Sequence, residues 1–346
     1  MTLSPRRSLA FFAGALLAAT LDSACRRDRT GADIVREGAI AWLPKESVGL
    51  LVVEVRELRG LKSGIHWMEE VEALAVEGGP LHEIQQRFGL EAFAGLERVG
   101  LAIVPEVNNK VAYGAVTEGR FDEAKMRAAM GGQDIITVRE AEGEGPDFSL
   151  TVLAGGRLAV GPRAVLERVR ANAGRTGAGL DANTRLIERL RELRPGAQIW
   201  GALDTRSLGE LAGDYATTRG LDTSAIASAS QFSSLVSIAF QGRLGETVQI
   251  DLFGKADSEA HARSLADAAR GLLALGRMAA GNQAPPAIID LLDGIRIDQQ
   301  AESVLLHASV PEKSLTALAG QVTGSAGSPT APAAPAPPDA SPITEP

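Results

Sequence analysis

The chain has 346 residues, of which 45% are hydrophobic and 23% are charged. This length and composition indicate a folded protein with one large domain or two domains of ordinary size, and they exclude a disordered or multi-spanning chain. With 35 basic and 43 acidic residues the formal net charge is −8, which argues against a nucleic-acid partner. The single cysteine excludes an intrachain disulfide framework and a zinc cluster built on cysteines.

Residues 1–24 have the pattern of a signal peptide. Arg6 and Arg7 form a basic N-terminal region, and residues 9–21 form an apolar run of 13 residues. A run of this length is too short to span a bilayer as a helix and is typical of the apolar region of a signal peptide. Export by the general secretory route and export by the twin-arginine route both stay open, because the arginine pair is compatible with either.

Cys25 lies where a lipoprotein signal peptide would be cleaved. The preceding residues, Leu21 to Ala24, resemble a bacterial lipobox, although Asp22 occupies a position at which that motif has an apolar residue. The resemblance implies lipidation of Cys25, which would anchor the exported protein in the bacterial cell envelope, facing the periplasm. The alternative is an ordinary secretory signal or an uncleaved anchor, in which Cys25 has no special role.

A short linker, residues 25–40, is predicted to join the anchor to the fold. It contains Arg26, Arg27 and Arg29, which could contact anionic lipid headgroups with about 1 kcal/mol each. A solvated linker explains the same charges equally well.

The C-terminal residues 325–346 differ in composition from the rest of the chain. Seven of these 22 residues are proline and six are alanine, with no apolar periodicity. Such a segment cannot bury a core, so we expect a disordered tail with polyproline II character. A passive tail is the simpler interpretation, and a spacer or ligand for another envelope component is the alternative.

Between these ends, short apolar runs alternate with amphipathic segments. Runs rich in β-branched residues predict strands, and apolar residues at intervals of three and four predict helices. The predicted strands are 48–55, 99–104, 110–117, 134–139, 148–153, 157–160, 198–203, 236–240, 247–253, 295–299 and 303–310. The predicted helical regions are 66–95, 121–130, 162–171, 183–193, 258–278, 285–293 and 311–319.

The order of these elements occurs twice. A glycine-rich stretch at 172–181 divides a first unit, 41–173, from a second unit, 183–320, and in each unit a hairpin leads into a helix. The residues that begin those helices, GRFDEAKMRA at 119–128 and GKADSEAHARS at 254–264, share a glycine, a basic residue and an aspartate in the same order. The sequence therefore predicts an α+β fold of two similar units, each with antiparallel hairpins packed against helices.

Four stretches of the chain resemble an uncharacterised class of bacterial envelope lipoproteins with duplicated α+β units and a domain of unknown function. They are FGLEAFAGLERVGLAIVP, GRFDEAKMRAAM, LAGGRLAVGPRAVLERV and PGAQIWGALD, and the similarity extends over about residues 41–320. These residues are turn and helix-start positions. The resemblance therefore implies a fold and a compartment, and it transfers no active site.

The histidines do not form a recognisable metal or catalytic pattern. His66 and Glu70 share an i, i+4 spacing, but no HExxH motif and no third ligand accompany them. His82, His261 and His307 are isolated in sequence, and the simplest interpretation of each is an exposed or half-buried side chain.

Other motif-like patterns also fail their context tests. Residues 177–182 fit GxGxxA, but they follow a predicted helix, whereas a dinucleotide-binding loop follows a strand. There is no GxSxG nucleophile elbow, and an acylated Cys25 could not act as a nucleophile. Carboxylate pairs such as Glu69/Glu70 and Asp290/Asp293 are typical of solvated helix faces.

We therefore expect no catalytic residue, no cofactor and no metal ion. The favoured hypothesis is a non-enzymatic, lipid-anchored envelope protein that acts as a binding or scaffold module, with another envelope protein or a lipid as its partner. The alternative is a periplasmic carrier, which would hold a lipid or an acylated protein in a cavity between sheet and helices.

Overall fold

The β-branched apolar runs form strands that lie within three residues of their predicted positions. The structure is a computed structural model that describes residues 29–61, 95–106, 111–138, 148–194, 196–207, 234–281 and 284–314. Its strands are β1 (Gly49–Val53), β2 (Leu96–Pro105), β3 (Val111–Gly119), β4 (Ile136–Val138), β5 (Phe148–Leu153), β6 (Arg157–Gly161), β7 (Ile199–Asp204), β8 (Leu235–Arg243), β9 (Thr247–Ala256), β10 (Ile295–Gln300) and β11 (Ser303–Pro311).

Side-chain caps begin three of the predicted helices. The helices are α1 (Gly31–Glu37), α2 (Val55–Leu58), α3 (Glu123–Ala129), α4 (Arg163–Asn172), α5 (Thr184–Leu190), α6 (Glu259–Ala280) and α7 (Pro286–Asp293), with 3₁₀ turns at Ala39–Trp42 and Leu180–Ala182. Asp122, Asn183 and Ser258 each accept a hydrogen bond from a backbone N–H in the first turn of α3, α5 and α6. These caps explain why the three helices begin where the sequence predicts.

Several predictions concern residues outside the described part of the chain. They are the signal peptide, Cys25, the helical region at 66–94, most of the C-terminal helix at 311–319 and the tail at 325–346. The predicted linker is described from Arg29 onward, and much of it is folded. It forms α1, whose Ala32 and Val35 are fully buried in the core.

All eleven strands belong to one antiparallel sheet, in the order β10-β11-β9-β8-β7-β1-β2-β3-β6-β5-β4. The predicted α+β class with antiparallel hairpins is therefore confirmed. The sheet is continuous across the glycine-rich stretch, because β1 pairs with β7 along its whole length, from Gly49–Leu203 to Val53–Ile199. Outward from this central pair, each half of the sheet continues with a hairpin, which is β2-β3 on one side and β8-β9 on the other. A second hairpin follows on each side, β5-β6 or β10-β11. Its later strand pairs with the first hairpin, and its earlier strand lies farther out.

The largest core lies on one face of the sheet, beneath α1, α4 and α5. Strand residues of alternate positions point into it, as the period of two requires. Val165 of α4 lies against Gly114, where an added Cβ would be 2.6 Å from Val165 Cγ1, so the glycine allows the helix to approach the sheet. Members of this core that are fully buried include Ala32, Ile40, Leu43, Val52, Val104, Val116, Ala159, Leu166, Leu180, Leu190 and Ala202.

The opposite face is covered near its two edges by described helices. Met126 and Met130 of the α3 region pack on Ile136, Leu150 and Leu158 at one edge. At the other edge, α6 and α7 pack on β9, β10 and β11. Half-buried Ile295 and Ile297 alternate there with exposed Arg296, Asp298 and Gln300.

The second half of α6 departs from the sequence prediction. Its leucines keep helical spacing, which predicts one core-facing stripe. In the structure Leu265 and Leu273 are half-buried, whereas Leu272 and Leu275 are exposed. The prediction of core packing was wrong for Leu272 and Leu275, because the apolar positions in this half encircle the helix and only one side can contact the sheet.

Candidate functional site

A cleft of about 660 Å³ opens at one end of the central strands. It lies where β1 and β3 end and where β2 and β7 begin, so residues from four neighbouring strands converge there. Residues from α1 and from the loop after α5 close its sides. Its lining residues are Arg29, Gly31, Ile34, Glu54, Arg56, Glu57, Glu97, Arg98, Glu118, Leu193, Arg194, Gly196, Ala197 and Trp200.

An arginine held between two glutamates forms the floor of the cleft. Arg98 Nε donates to Glu54 Oε1 at 2.8 Å, and Arg98 Nη1 donates to Glu118 Oε2 at 2.9 Å. The side chains of Arg98, Glu54 and Glu118 are 24%, 13% and 17% exposed, so water screens these pairs only in part. Burial lowers the pKa of Arg98, but the hydrogen bonds and charges of both glutamates outweigh it and leave the pKa above its ordinary value.

Further donors fix the two carboxylates in place. Trp200 Nε1 donates to Glu54 Oε1 at 3.2 Å, and the backbone N–H of Ala39 donates to Glu118 Oε1. Glu118 thereby connects β3 to the 3₁₀ turn after α1, while Glu54 connects β1 to β7. The ion cluster thus forms a floor that links the 3₁₀ turn after α1 with four strands, β1, β2, β3 and β7.

Glycine at position 31 allows α1 to approach the wall of the cleft. A Cβ on Gly31 would lie 2.9 Å from the carbonyl oxygen of Leu190 and 3.3 Å from Cζ3 of Trp200. Gly31 N donates to the Leu193 carbonyl at 3.3 Å, which ties α1 to the chain segment after α5. The indole of Trp200 is only 3% exposed, so it contributes an edge to the cleft while its ring belongs to the core.

The rim of the cleft carries pairs of exposed charges. Arg56 Nη2 lies 3.7 Å from Glu57 Oε1, with side chains 58% and 53% exposed. Glu97 pairs with Arg120 at 3.0 Å, and the Arg120 side chain is 84% exposed. Exposed pairs of this kind contribute about 0–1 kcal/mol each, so these side chains are free to exchange partners with a ligand.

A second polar cluster lies on β8, β9 and β11. His307 Nδ1 is 2.6 Å from Asp251 Oδ1, and Gln241 Nε2 donates to Asp251 Oδ2 at 2.7 Å. Burial raises the pKa of Asp251, but the hydrogen bonds from Gln241 and His307 outweigh it and leave the pKa below its ordinary value. Gln241 Oε1 accepts from the backbone N–H of Arg194 at 3.1 Å, which connects this cluster to the cleft.

The arrangement is suited to binding charged groups. The cleft presents guanidinium and carboxylate groups of both signs around an indole edge, which together can accept a carboxylate, a phosphate or an ammonium group. In the second cluster, Asp251 orients the His307 imidazole, whose side chain is 42% exposed. No group of three or more histidine, cysteine, aspartate or glutamate side chains in the described ranges could hold a metal ion.

Of the residues singled out in the sequence, Arg29 lines the cleft, whereas the other described ones lie apart from it. His261 contacts Asp257 at the start of α6, and His307 joins the second cluster. In the GxGxxA stretch, the N–H groups of Gly177 and Gly179 donate to the side chain of Asp181. These loop N–H groups are therefore already bound by the Asp181 carboxylate. Cys25, His66, Glu70 and His82 are outside the described residues.

The cleft residues themselves were missed by the sequence reasoning. Glu54, Arg98 and Glu118 are separated by 44 and 20 residues, and each lies near the end of an apolar strand. A charge at a strand end is common, so the pattern does not distinguish these three. Only the pairing of β1 with β2 and of β2 with β3 brings them together.

Comparisons with protein-family models, with curated protein sequences and with solved structures found no match to this chain. Within the ranges that the structure describes, no helix has both the length and the apolar character that crossing a bilayer requires.

Proposed function

We propose that this protein is a non-enzymatic, lipid-anchored protein of the bacterial cell envelope, exported to face the periplasm, and that the cleft is its binding site. The observation that carries the proposal is the position of Arg29, which lies at the cleft and close to Cys25 along the chain. Arg29, the first described residue, lines the cleft, and Cys25 precedes it by four residues. Four residues span at most about 14 Å, so acylation of Cys25 would hold the mouth of the cleft close to a membrane surface.

The chemistry of the cleft supports a binding or scaffold role. Its floor is the Arg98 cluster, in which each charge already has a partner, and its rim consists of exposed, weakly paired charges. Such a surface is suited to recognising charged groups on a partner. We accordingly propose an envelope protein or a lipid as the partner, with no cofactor, no metal ion and no nucleic acid.

We further propose that the fold arose from two similar α+β units, 41–173 and 183–320. The repeated strand order supports this interpretation: β1-β2-β3-β6-β5 in one half and β7-β8-β9-β11-β10 in the other. In both halves a helix follows the third strand, α3 in the first and α6 in the second. The antiparallel pairing of β1 with β7 relates the halves as a two-fold axis would.

A second candidate function is a periplasmic carrier for an apolar ligand. It is favoured by the sheet face opposite the main core, where Leu51, Leu101, Ile199 and Phe240 on four neighbouring strands are only partly buried. Co-purification of phospholipid or fatty acid with the protein, at one molecule per chain, would favour this candidate. A chain that carries no lipid other than the anchor would leave the binding module as the better account.

The decisive experiment for the anchor is the intact mass of the protein extracted from membranes with detergent. We expect loss of residues 1–24 and a mass increase that corresponds to a diacylglyceryl group, with or without a further acyl chain, on Cys25. The control is Cys25→Ser, which should keep Met1 and carry no lipid. Unmodified Cys25 with Met1 retained would refute the proposal.

A further inference from the structure

The outer surface of α6 carries an unusual apolar stripe. Leu272, Leu275 and Met278 follow one another at intervals of three residues and are 60%, 58% and 70% exposed. The inner surface of the same helix is in contact with the sheet, where Ala262 and Ala266 are fully buried. A contiguous group of large exposed apolar side chains indicates a contact surface. We name these three residues the α6 stripe.

The stripe lies toward the end of the sheet at which the cleft opens. The helix begins after β9 at the far end and runs back over the sheet, and at 22 residues it is about as long as the strands. Its last turns are fastened to the end of α7, since Arg277 Nη2 donates to the Leu292 carbonyl at 2.8 Å. After α7 the chain enters β10 at Ile295. In the strand registers, Ile295 lies in the same row across the sheet as Val53, which precedes the cleft residue Glu54. The residues of this row between them are Ala308, Ile250, Gly242 and Ile199.

The proposed lipid anchor emerges at this same end, because Arg29 lines the cleft and only three residues separate it from Cys25. From this placement we infer that the α6 stripe is a second membrane contact, which lies in the interfacial region of the bilayer that holds the acyl chains of Cys25. The inference rests on the proposed lipid anchoring. Its physical basis is that burial of exposed apolar side chains in the interfacial region adds binding free energy to that of the lipid anchor.

The charges of α6 beside the stripe are balanced in ion pairs, so they do not oppose a lipid surface. After Asp267, α6 contains no acidic residue, and its remaining charges are Arg270 and Arg277. Arg270 Nε donates to the Ile297 carbonyl, and Arg270 Nη1 pairs with Asp267 Oδ1 at 2.9 Å. Asp293 of α7 lies 3.5 Å from Arg277, so its charge is balanced by this pair. Arginines beside an apolar stripe are suited to the level of the headgroups.

The lone cysteine makes a direct test possible in the full chain. When Cys25 is acylated, an introduced cysteine is the only free thiol, so Leu275→Cys can be labelled with an environment-sensitive NBD fluorophore. The acylated protein is then reconstituted into vesicles of phosphatidylethanolamine and phosphatidylglycerol. The matched control is Tyr113→Cys, because Tyr113 is 56% exposed and lies on β3 near its pairing with the far end of β2.

We expect a doxyl-labelled phospholipid to quench the label at position 275 about threefold more than the label at position 113, with the opposite order for aqueous iodide. In a second variant, Leu272→Ser and Met278→Ser are added to Leu275→Cys. Quenching by the lipid should then fall to the level of the control, while the circular dichroism melt stays unchanged because the residues are exposed.

Three results would overturn the inference. Equal lipid quenching at the two positions would place the stripe in water. Self-quenching at position 275 that rises with protein density, without lipid quenching, would show that a second copy covers the stripe. Labelling of the wild-type chain at Cys25 would show that the anchor itself is absent, which refutes the proposed function and this inference with it.

Discussion

The ion cluster on the floor of the cleft is predicted to be the most sensitive polar site in the described part of the fold. The perturbation is Arg98→Met, which keeps an unbranched side chain of similar length and removes the charge. It leaves the carboxylates of Glu54 and Glu118 close together without their shared cation. Removal of one partner from a buried ion pair is destabilising because the other charge remains desolvated and uncompensated.

The geometry sets the magnitude. Breaking a fully buried pair costs about 3–5 kcal/mol, but these side chains keep 13–24% of their exposure. Each carboxylate also keeps one donor, from Trp200 or from the Ala39 backbone. We therefore expect Arg98→Met to lower the free energy of unfolding by about 2–3 kcal/mol. The triple variant with Glu54→Gln and Glu118→Gln removes both stranded charges and should lose about 1 kcal/mol or less.

The assay is urea unfolding followed by tryptophan fluorescence, in which Trp200 reports directly because it contacts Glu54 and is 3% exposed. The matched control is Arg263→Met, which breaks an exposed pair with Glu259 whose side chains are 66% and 61% exposed. The control should change the free energy of unfolding by about 0.5 kcal/mol or less.

Two results would refute this reasoning. If Arg98→Met cost no more than the Arg263→Met control, the cluster would behave as a surface pair that water screens. If the triple variant were as unstable as the single variant, the cost would come from lost packing of the arginine stem rather than from the stranded charges.

Two further predictions concern close packing and pH. Gly201→Ala should destabilise the fold by about 2 kcal/mol or more, because its Cβ would collide with the Leu50 carbonyl on the neighbouring strand. Gly271→Ala, whose Cβ meets nothing within 4 Å on α6, should stabilise it by about 0.5–1 kcal/mol in the same urea assay, and equal effects would contradict the contact argument. For Asp251, a native pKa held below its ordinary value means that its stabilisation is complete above about pH 5 and is lost as the pH falls from about 4 through the lowered native pKa. Asp251→Asn should therefore cost about 1 kcal/mol at pH 7 and progressively less as the pH falls through the lowered native pKa, and a constant difference across this range would contradict the assignment.

The strands and most described helices could be predicted because their signals are local. Alternation of apolar and polar residues predicts β8 and β9, and an N-cap aspartate or serine predicts the starts of α3 and α6. The prediction failed for the exposed leucines of α6, since helical spacing in an apolar segment does not show which side meets the sheet. It also did not anticipate α1, a seven-residue helix whose burial comes from packing rather than from its own pattern.

The sequence by itself determined the class of fold, the order of its elements and the expectation of an exported chain anchored at Cys25. Only the tertiary structure decided that both predicted units share one sheet, because the pairing of β1 with β7 joins residues 146 positions apart, Val53 and Ile199, which approach through long-range contacts. The cleft has the same origin. Glu54, Arg98 and Glu118 are ordinary charges in the sequence, and they become one desolvated cluster because strand register places three strand ends side by side.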